Sequence, residues 1–263
     1  MRKIIATILA NLKILRGPYK PRQKSVTVMG QKIDFQIRSE TDLRRVTTYL
    51  TKEPETINWI NAFKNYGKTT YFDVGANIGI YSLYPAIKYG RDIQIYSFEP
   101  MSQNFAALSN NIFINNLATI VKPYCCSIAA KSGFQELFIP YNRFKSGANR
   151  AQFNNNFEAA ERIVGKSIIH SEGSYGVSLD DLTEMFNFPI PNYIKIDVDG
   201  IELDVLYGAK NVLSHPDVKS VLIECQSDEE QQAAVKHIFS TTGFSLSFQG
   251  DQRKASNMIF HRD

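Results

Sequence analysis

Two carboxylates stand at the ends of apolar runs that have the length of buried strands, and a turn follows each of them. Asp73 opens a turn with glycines at Gly75 and Gly79, and Glu99 ends the next apolar run along the chain. Glycine tolerates a positive φ and lets the backbone approach a ligand closely. The helix predicted to begin near Ile80 adds free N–H groups and the positive end of its dipole. This arrangement predicts a ligand-binding turn at a strand-to-helix corner.

The charge of Asp73 narrows the choice of ligand. A dinucleotide-binding turn has a glycine at this position and holds a pyrophosphate, which a carboxylate would repel. A carboxylate would instead accept hydrogen bonds from an ammonium group, such as the one in S-adenosylmethionine. Glu99 stands where an acidic residue binds ribose hydroxyls, and Pro100 favours a helix start after it. The two carboxylates predict S-adenosylmethionine, with a nicotinamide dinucleotide and its oxidoreductases as the alternative because Glu99 would serve both ligands.

A third acidic turn follows the apolar run that begins at Tyr193, and it contains Asp197, Asp199 and Glu202. Ligands of open α/β sheets bind at the carboxyl edge of the strands, so this turn is predicted to border the cofactor and the acceptor. One of the three carboxylates could be the general base that takes a proton from an acceptor hydroxyl. Asp197 and Asp199 could instead hold a divalent cation through oxygen ligands. Glu202 also has a structural interpretation, as a cap of the next helix.

The fold follows from the alternation of short apolar runs with helical stretches after residue 70, which is typical of a parallel sheet with crossover helices. The last two strand candidates flank a polar turn and predict a closing antiparallel hairpin. We therefore expect a Rossmann-like α/β fold with a seven-stranded, mostly parallel sheet and helices on both faces. The strand candidates are Thr70–Val74, Ile93–Phe98, Ile120–Ile128, Tyr193–Val198, Ser220–Cys225, Phe244–Phe248 and Asn257–His261.

The middle of the chain departs from this alternation. Phe134–Ile139 alternates like an extra edge strand, and residues 141–176 are polar, rich in asparagine and weakly periodic. A connection of this length is longer than compact domains normally contain. It predicts either a lid over the acceptor or a disordered excursion.

The chain of 263 residues is long enough for one full α/β domain. Residues 1–65 are predicted to be an N-terminal extension and residues 66–263 the catalytic domain. Residues 1–16 have the pattern of a basic amphipathic helix, which either packs ordinarily or contacts a membrane surface. A small hairpin is predicted over Ser25–Ile37, and helical spacing continues from Leu43 to Phe63.

Composition excludes some classes of partner and location. The formal net charge is only +4 and is spread along the chain, which falls short of a nucleic-acid-binding signature. The three cysteines include the adjacent pair Cys125 and Cys126, and they cannot form a disulfide framework. We therefore expect a cytoplasmic protein that does not bind nucleic acid.

Three long motifs resemble the FkbM-type methyltransferases. The family pattern D-V-G-A-N-x-G-x-Y-S-L is matched from Asp73 to Leu83, F-E-P-x-x-x-N-F from Phe98 to Phe105, and K-I-D-V-E-G-x-E from Lys195 to Glu202. The similarity extends over residues 70–262, with V-L-x-G-A after the third motif. One departure is Asp199, which stands where the family usually has glutamate and carries the same charge on a shorter side chain.

The resemblance implies that S-adenosylmethionine is bound by Gly75, Asn77 and Glu99, with Asn104 near the same pocket. It also implies a methyltransferase of the Rossmann-like class I, commonly acting on hydroxyls of sugars or natural products. A domain that binds the cofactor without transferring its methyl group is the non-enzymatic alternative. The residues predicted to bind the cofactor are Asp73, Gly75, Ala76, Asn77, Gly79, Ser82, Glu99, Pro100, Asn104, Ser127 and Asp197.

Overall fold

The strands of the described part of the chain form three sheets. The computed structural model of the chain describes residues 22–140, 150–152, 168–198, 200–226, 228–251 and 255–262. Within these residues the strands are β1 (Gln23–Val28), β2 (Gln31–Gln36), β3 (Thr69–Val74), β4 (Ile93–Phe98), β5 (Val121–Tyr124), β6 (Ser127–Ile128), β7 (Gly133–Pro140), β8 (Arg150–Gln152), β9 (Ile168–Val177), β10 (Tyr193–Ile196), β11 (Ser220–Gln226), β12 (Ser245–Gln249) and β13 (Ala255–His261).

Helices connect most of these strands. In the described part of the chain they are α1 (Glu40–Thr48), α2 (Pro54–Asn61), α3 (Ile80–Tyr89), α4 (Ser102–Ile114), α5 (Leu179–Glu184), α6 (Glu202–Tyr207), α7 (Lys210–Ser214) and α8 (Glu229–Thr241). The helical spacing from Leu43 to Phe63 is divided between α1 and α2. Pro54 begins α2 and disfavours helical conformation in the residue before it, and Glu53 accordingly has φ −134° and ψ 69°.

The main sheet has the strand order β5-β4-β3-β10-β11-β13-β12. Neighbouring strands pair in parallel except at β13, which is antiparallel to both β11 and β12. The order reverses between β3 and β10, and the crevice at such a switch point is the usual ligand site of an open α/β sheet. The predicted α/β class with a mostly parallel sheet is confirmed.

Each face of the main sheet is covered by helices. Tyr71, Tyr193 and Leu222 share a core with α1 to α4, whereas their neighbours Phe72 and Ile194 share one with α5 to α8. Successive side chains of a strand point to opposite faces, so the two cores lie on the two sides of the sheet. Burial on both sides explains why these strands are continuous apolar runs in the sequence.

The prediction of one strand over Ile120–Ile128 is wrong, because the chain passes from one sheet to another within it. In the main sheet the last residue paired is Tyr124, opposite Phe98 at the end of β4. Ser127 pairs instead with Gly176 of β9, in a second sheet of order β6-β9-β7-β8. A strand continues only where a partner offers backbone hydrogen bonds, and the partner changes at this point.

The second sheet also corrects the predictions for the middle of the chain. The stretch Phe134–Ile139 belongs to β7, which pairs on one side with β8 and on the other with β9, rather than forming an edge of the main sheet. The last part of the predicted lid or disordered excursion, residues 141–176, is β9. Residues 141–149 and 153–167 lie outside the described residues.

The segment of residues 22–63, here called the N-terminal segment, packs onto the main sheet. It contains the predicted hairpin, formed by β1 and β2. Val46 and Trp59 belong to the same core as Tyr71 and Leu83, so the segment shares the core of the sheet. Among the described residues, no helix is both long and apolar enough to cross a membrane. The predicted amphipathic helix over residues 1–16 lies outside them.

Arg38 ties the N-terminal segment to the start of α4. Its guanidinium donates to both carboxylate oxygens of Asp42, at 2.9 and 3.2 Å, and to Asn104 Oδ1 at 3.1 Å. It also donates to the backbone oxygen of Gln103. Asp42 is 1% exposed, and a buried carboxylate is costly unless it is paired. The ion pair thus fixes α1 against the first turn of α4.

We expect Arg38→Ala to lower the free energy of unfolding by about 3 kcal/mol, because it leaves the buried Asp42 carboxylate unpaired. Urea denaturation followed by circular dichroism measures the change. The control is Lys32→Ala, which removes an ion pair to Asp34 whose lysine side chain is 65% exposed, and it should cost less than about 1 kcal/mol. Equal losses in the two variants would contradict a special role for Arg38.

Candidate functional site

Gly75 brings the first turn of the site against the neighbouring strand β10. Its φ is 81°, a left-handed value that glycine adopts without steric cost. A Cβ there would lie 1.9 Å from the carbonyl oxygen of Asp197, so a larger residue does not fit. The N–H groups of Gly75 and Ala76 donate to the carbonyl oxygen of Phe98, at 2.9 and 3.0 Å. The turn is therefore held between β4 and β10.

Glu99 lies directly behind this turn. Its Oε2 accepts from the Asn77 N–H at 2.9 Å, and its Oε1 accepts from the Met101 N–H at 2.9 Å and from Asn104 Nδ2 at 3.5 Å. Burial raises the pKa of Glu99 to about 7, although these hydrogen bonds oppose the shift. An ionised carboxylate offers about four acceptor positions, so Glu99 retains capacity for a ligand hydroxyl.

Asp73 is buried beneath the turn. Its Oδ2 accepts from Ser82 Oγ, which also lies 2.8 Å from Ser97 Oγ. Its Oδ1 has no hydrogen-bond partner of normal geometry within the described residues, although the Tyr71 hydroxyl is close by. Burial raises the pKa of Asp73, and the charge of Lys195 partly opposes this. Asp73 is therefore a buried carboxylate in the lining of the cleft, held in place by Ser82.

Asp197 and Glu224 lie side by side at the carboxyl edge of the main sheet. The register of β10 and β11 pairs Ile196 with Ile223, which makes the next two residues neighbours. Lys195 Nζ donates to Asp197 Oδ2 at 2.7 Å. Burial alone would raise the pKa of Asp197, but the ammonium of Lys195 outweighs it and lowers that pKa. The pKa of Glu224 is raised, chiefly by the negative charge of Asp197 and to a smaller extent by burial.

Lys195 is a buried cation, 1% exposed, on the face of β10 that meets α3. Burial alone would lower its pKa, but the negative charges of Asp197, Asp73 and Glu53 outweigh burial and raise the pKa above its ordinary value. Its ammonium also lies 4.9 Å from the centre of the Tyr81 ring. Lys195 therefore forms an ion pair with Asp197 and interacts electrostatically with Asp73 and Glu53.

The other two carboxylates of the acidic turn are Glu202 and Asp199. Glu202 is buried at the first turn of α6, where Oε1 accepts from the Gly200 N–H at 2.7 Å and Oε2 from Gln231 Nε2 at 2.8 Å. These contacts occupy both carboxylate oxygens and connect the turn before α6 with α8. Asp199 lies outside the described residues, so the metal pair of Asp197 and Asp199 stays a prediction. Among the residues that are described, no group of three His, Cys, Asp or Glu side chains is arranged to hold a metal ion.

One cleft at the switch point gathers most of the predicted site residues. Those that line it are Asp73, Gly75, Ala76, Asn77, Glu99, Pro100, Asn104, Ser127 and Asp197. The cleft lining does not include Gly79, Ser82 or Glu202. Gly79 caps α3 with a φ of 91°, and Ser82 reaches the site through Asp73. Ser127 contributes a buried hydroxyl with no hydrogen-bond partner among the described residues.

The sequence motifs missed one wall of this cleft. It comes from α1 and the turn after it, and its residues are Arg45, Tyr49, Lys52 and Glu53. These residues belong to no recognisable motif, so no local signal marks them. Glu224 also lines the cleft, and it could have been found, because it ends a predicted strand that neighbours the strand of Asp197.

A mostly parallel sheet with a glycine turn and acidic strand ends at its switch point defines an α/β protein of the Rossmann-like class. Within that class, the model of the family described as "Methyltransferase FkbM domain" matches residues 73–249. The chain belongs to this family of methyltransferases, as the motifs predicted. The alternative of a nicotinamide-dependent oxidoreductase does not agree with this membership.

Individual relatives are distant. The chain is 26% identical over 192 residues to methyltransferase sdnD of Sordaria araneosa, covering 66% of this chain and 73% of the relative. It is 27% identical over 168 residues to the hexuronic acid methyltransferase AglP of Haloferax volcanii, covering 63% and 59%. The crystal structure of methyltransferase FkbM from Methylobacillus flagellatus KT aligns with a TM-score of 0.51 at 15% identity, covering 86% of this chain and 56% of that one. This last likeness supports the fold alone.

We expect Gly75→Ala to destabilise the protein more than Gly30→Ala. Both glycines have a similar positive φ, of 81° and 77°, so both variants incur about 1–2 kcal/mol of backbone strain. A Cβ at Gly30 meets nothing within 4 Å, whereas at Gly75 it displaces the backbone of Asp197. Thermal unfolding of the two variants measures the difference. A Gly75 variant as stable as the Gly30 variant would show that the backbone of Asp197 can move aside at no cost in free energy.

Proposed function

We propose that this protein is an S-adenosylmethionine-dependent methyltransferase that methylates a hydroxyl oxygen of a sugar, glycan or natural product. The observation that carries the proposal is the single cleft in which the glycine turn meets two acidic strand ends, Glu99 and Asp197. Membership in the FkbM methyltransferase family supports it.

The groups that line the cleft fit the parts of S-adenosylmethionine. Glu99 has acceptor capacity for the ribose hydroxyls, and the carboxylate of Asp73, which lines the cleft, can accept a hydrogen bond from the ammonium group. The unpaired hydroxyl of Ser127 is suited to the adenine end, since it needs a polar partner. Gly75 leaves room for the ligand to approach the backbone. When bound, the cofactor supplies a methyl group on a positively charged sulfonium.

Asp197 is the residue we assign to the proton of the acceptor hydroxyl. It lines the cleft, and Lys195 holds its side chain in place and keeps it ionised. An ionised carboxylate accepts a hydrogen bond from the hydroxyl, which orients the oxygen, and then accepts the proton as the oxygen reacts. Glu202 is already occupied by two donors and lies outside the cleft lining, so we do not assign it this role.

The proposed acceptor class rests on the chemistry of the cleft and on one relative. Glu53, Glu224 and the Tyr81 side chain add hydrogen-bonding groups beside Asp197, and such groups suit an acceptor that carries several hydroxyls. The relative from Haloferax volcanii is named for a hexuronic acid, which is a sugar acid. Both observations favour a carbohydrate acceptor.

The proposal is tested by calorimetric titration with S-adenosylhomocysteine and NADH, followed by transfer of a labelled methyl group to a panel of sugars, glycans and hydroxylated natural products. We expect binding of S-adenosylhomocysteine and a methyl ether as product. Binding of NADH alone would favour the oxidoreductase, and cofactor binding without product on any acceptor would favour a non-catalytic domain.

The affinity for S-adenosylhomocysteine should rise as the pH increases through about 7, the pKa of Glu99 in the free protein. The ionised carboxylate forms above this pH, and it accepts ribose hydrogen bonds more strongly than the neutral acid does. In Glu99→Gln the affinity should be weaker above that pH, by about 10-fold, and its dependence on pH should be lost. Titration at several pH values tests this. The control Glu184→Gln, which changes an exposed carboxylate on α5, should behave like the wild type.

Asp197→Asn should slow methyl transfer by about 10²- to 10⁴-fold, the usual contribution of a positioned proton acceptor, and weaken the binding of S-adenosylhomocysteine by far less. Single-turnover kinetics and calorimetry measure the two quantities. Asp92→Asn is the control, since Asp92 is exposed and precedes β4 at the opposite end of the sheet. A fully active Asp197 variant would show that another group accepts the proton.

A further inference from the structure

Tyr49 has a buried hydroxyl without a hydrogen-bond partner among the described residues. The side chain is 3% exposed, and it lines the cleft. The ring is held by Phe35 and Tyr84, whose ring centres lie 6.4 and 6.1 Å away. Buried polar groups are nearly always paired in native structures, so this hydroxyl points to a ligand.

Ile80 and Tyr81, at the beginning of α3, line the same cleft as Tyr49, and Tyr84 in the second turn of that helix packs against the Tyr49 ring. Gly79 caps α3 with no side-chain hydrogen bond. The N–H groups of Ile80 and Tyr81 have no acceptor among the described residues. Free N–H groups and the positive end of the dipole make such a helix start a site for anions. The cleft therefore contains a cluster of donors, made of one hydroxyl and two backbone N–H groups.

The amino-acid end of the proposed cofactor carries an ammonium and a carboxylate. The ammonium fits Asp73, and the carboxylate needs donors. Burial raises the pKa of Tyr49, which keeps its hydroxyl protonated and able to donate. Arg45 lines the same wall and adds positive charge to it, whereas the ammonium of Lys52 is paired with the Glu53 carboxylate. The other end of the cofactor is accounted for by Glu99 and Ser127, so the donor cluster matches the carboxylate.

We propose that Tyr49 of the N-terminal segment, together with the start of α3, binds the carboxylate at the amino-acid end of S-adenosylmethionine. This inference rests on the proposed function. It gives the N-terminal segment a direct part in cofactor binding, from a position upstream of the residues that match the family model. Tyr49 is then a binding residue that no sequence motif contains.

A comparison of two ligands distinguishes binding of the carboxylate by Tyr49 from a general effect of the substitution on the cleft. S-adenosylhomocysteine has the amino-acid end, and methylthioadenosine is the same thionucleoside without it. Tyr49→Phe should weaken binding of S-adenosylhomocysteine by about 10-fold or more, as expected for a hydrogen bond to a charged group. It should leave the affinity for methylthioadenosine unchanged. Calorimetric titration of both ligands measures these values.

Tyr84→Phe is the matched control. Its hydroxyl donates to Asn61 Oδ1 at 2.8 Å and takes no part in lining the cleft, so both ligands should bind as they do to the wild type. Without ligand, Tyr49→Phe should unfold at the wild-type temperature or higher, because the hydroxyl it removes is unpaired. Tyr84→Phe should unfold at a lower temperature, because it loses a hydrogen bond.

The outcomes are distinguishable. An unchanged affinity of Tyr49→Phe for S-adenosylhomocysteine overturns the inference and leaves the proposed function standing. Equal weakening for both ligands also overturns it, since the hydroxyl would then act elsewhere than at the carboxylate. If the wild-type protein binds neither ligand, the proposed function fails first, and the inference fails with it.

Discussion

The close approach of β3 and β10 at the switch point is the constraint on which the site depends. Gly75 lies so near the carbonyl oxygen of Asp197 that a Cβ would be 1.9 Å from it. The same glycine and Ala76 donate to the carbonyl of Phe98, so three strands meet at one turn. Because the turn is fixed there, the next N–H, that of Asn77, reaches Glu99. The cleft and its carboxylates take their positions from this contact.

Electrostatics then decides which groups in the cleft carry charge. Burial disfavours ionisation of Asp73, Asp197 and Glu224, and one buried cation cannot neutralise all of them. Lys195 donates to Asp197, which keeps that carboxylate ionised, and the resulting negative charge raises the pKa of Glu224. A carboxylate with a fixed charge thus stands beside one that tends to hold its proton. Such a division of roles is typical of functional sites.

The walls of the cleft come from parts of the chain outside the main sheet. The second sheet provides Ser127 at one side, and the N-terminal segment provides Tyr49 and Glu53 at the other. The motif residues form the floor of the cleft, at the ends of the strands of the main sheet, where the backbone sets the positions of the glycines and carboxylates. The walls have no motif, because a side chain there needs only the right distance from the floor. This explains why the prediction from sequence includes the glycine turn and leaves out the wall formed by the N-terminal segment.

Local periodicity and the residue types next to turns were enough to predict the α/β class, the positions of most strands in the main sheet, and the carboxylates at their ends. The folded structure was needed to show that Ile120–Ile128 divides between two sheets and that Glu224 stands beside Asp197. It also decided that Tyr49 faces the cleft from the N-terminal segment. These facts depend on which strand finds which partner and on packing between distant residues. Such pairings are set by the free energy of the whole fold and leave no periodic trace in a single chain.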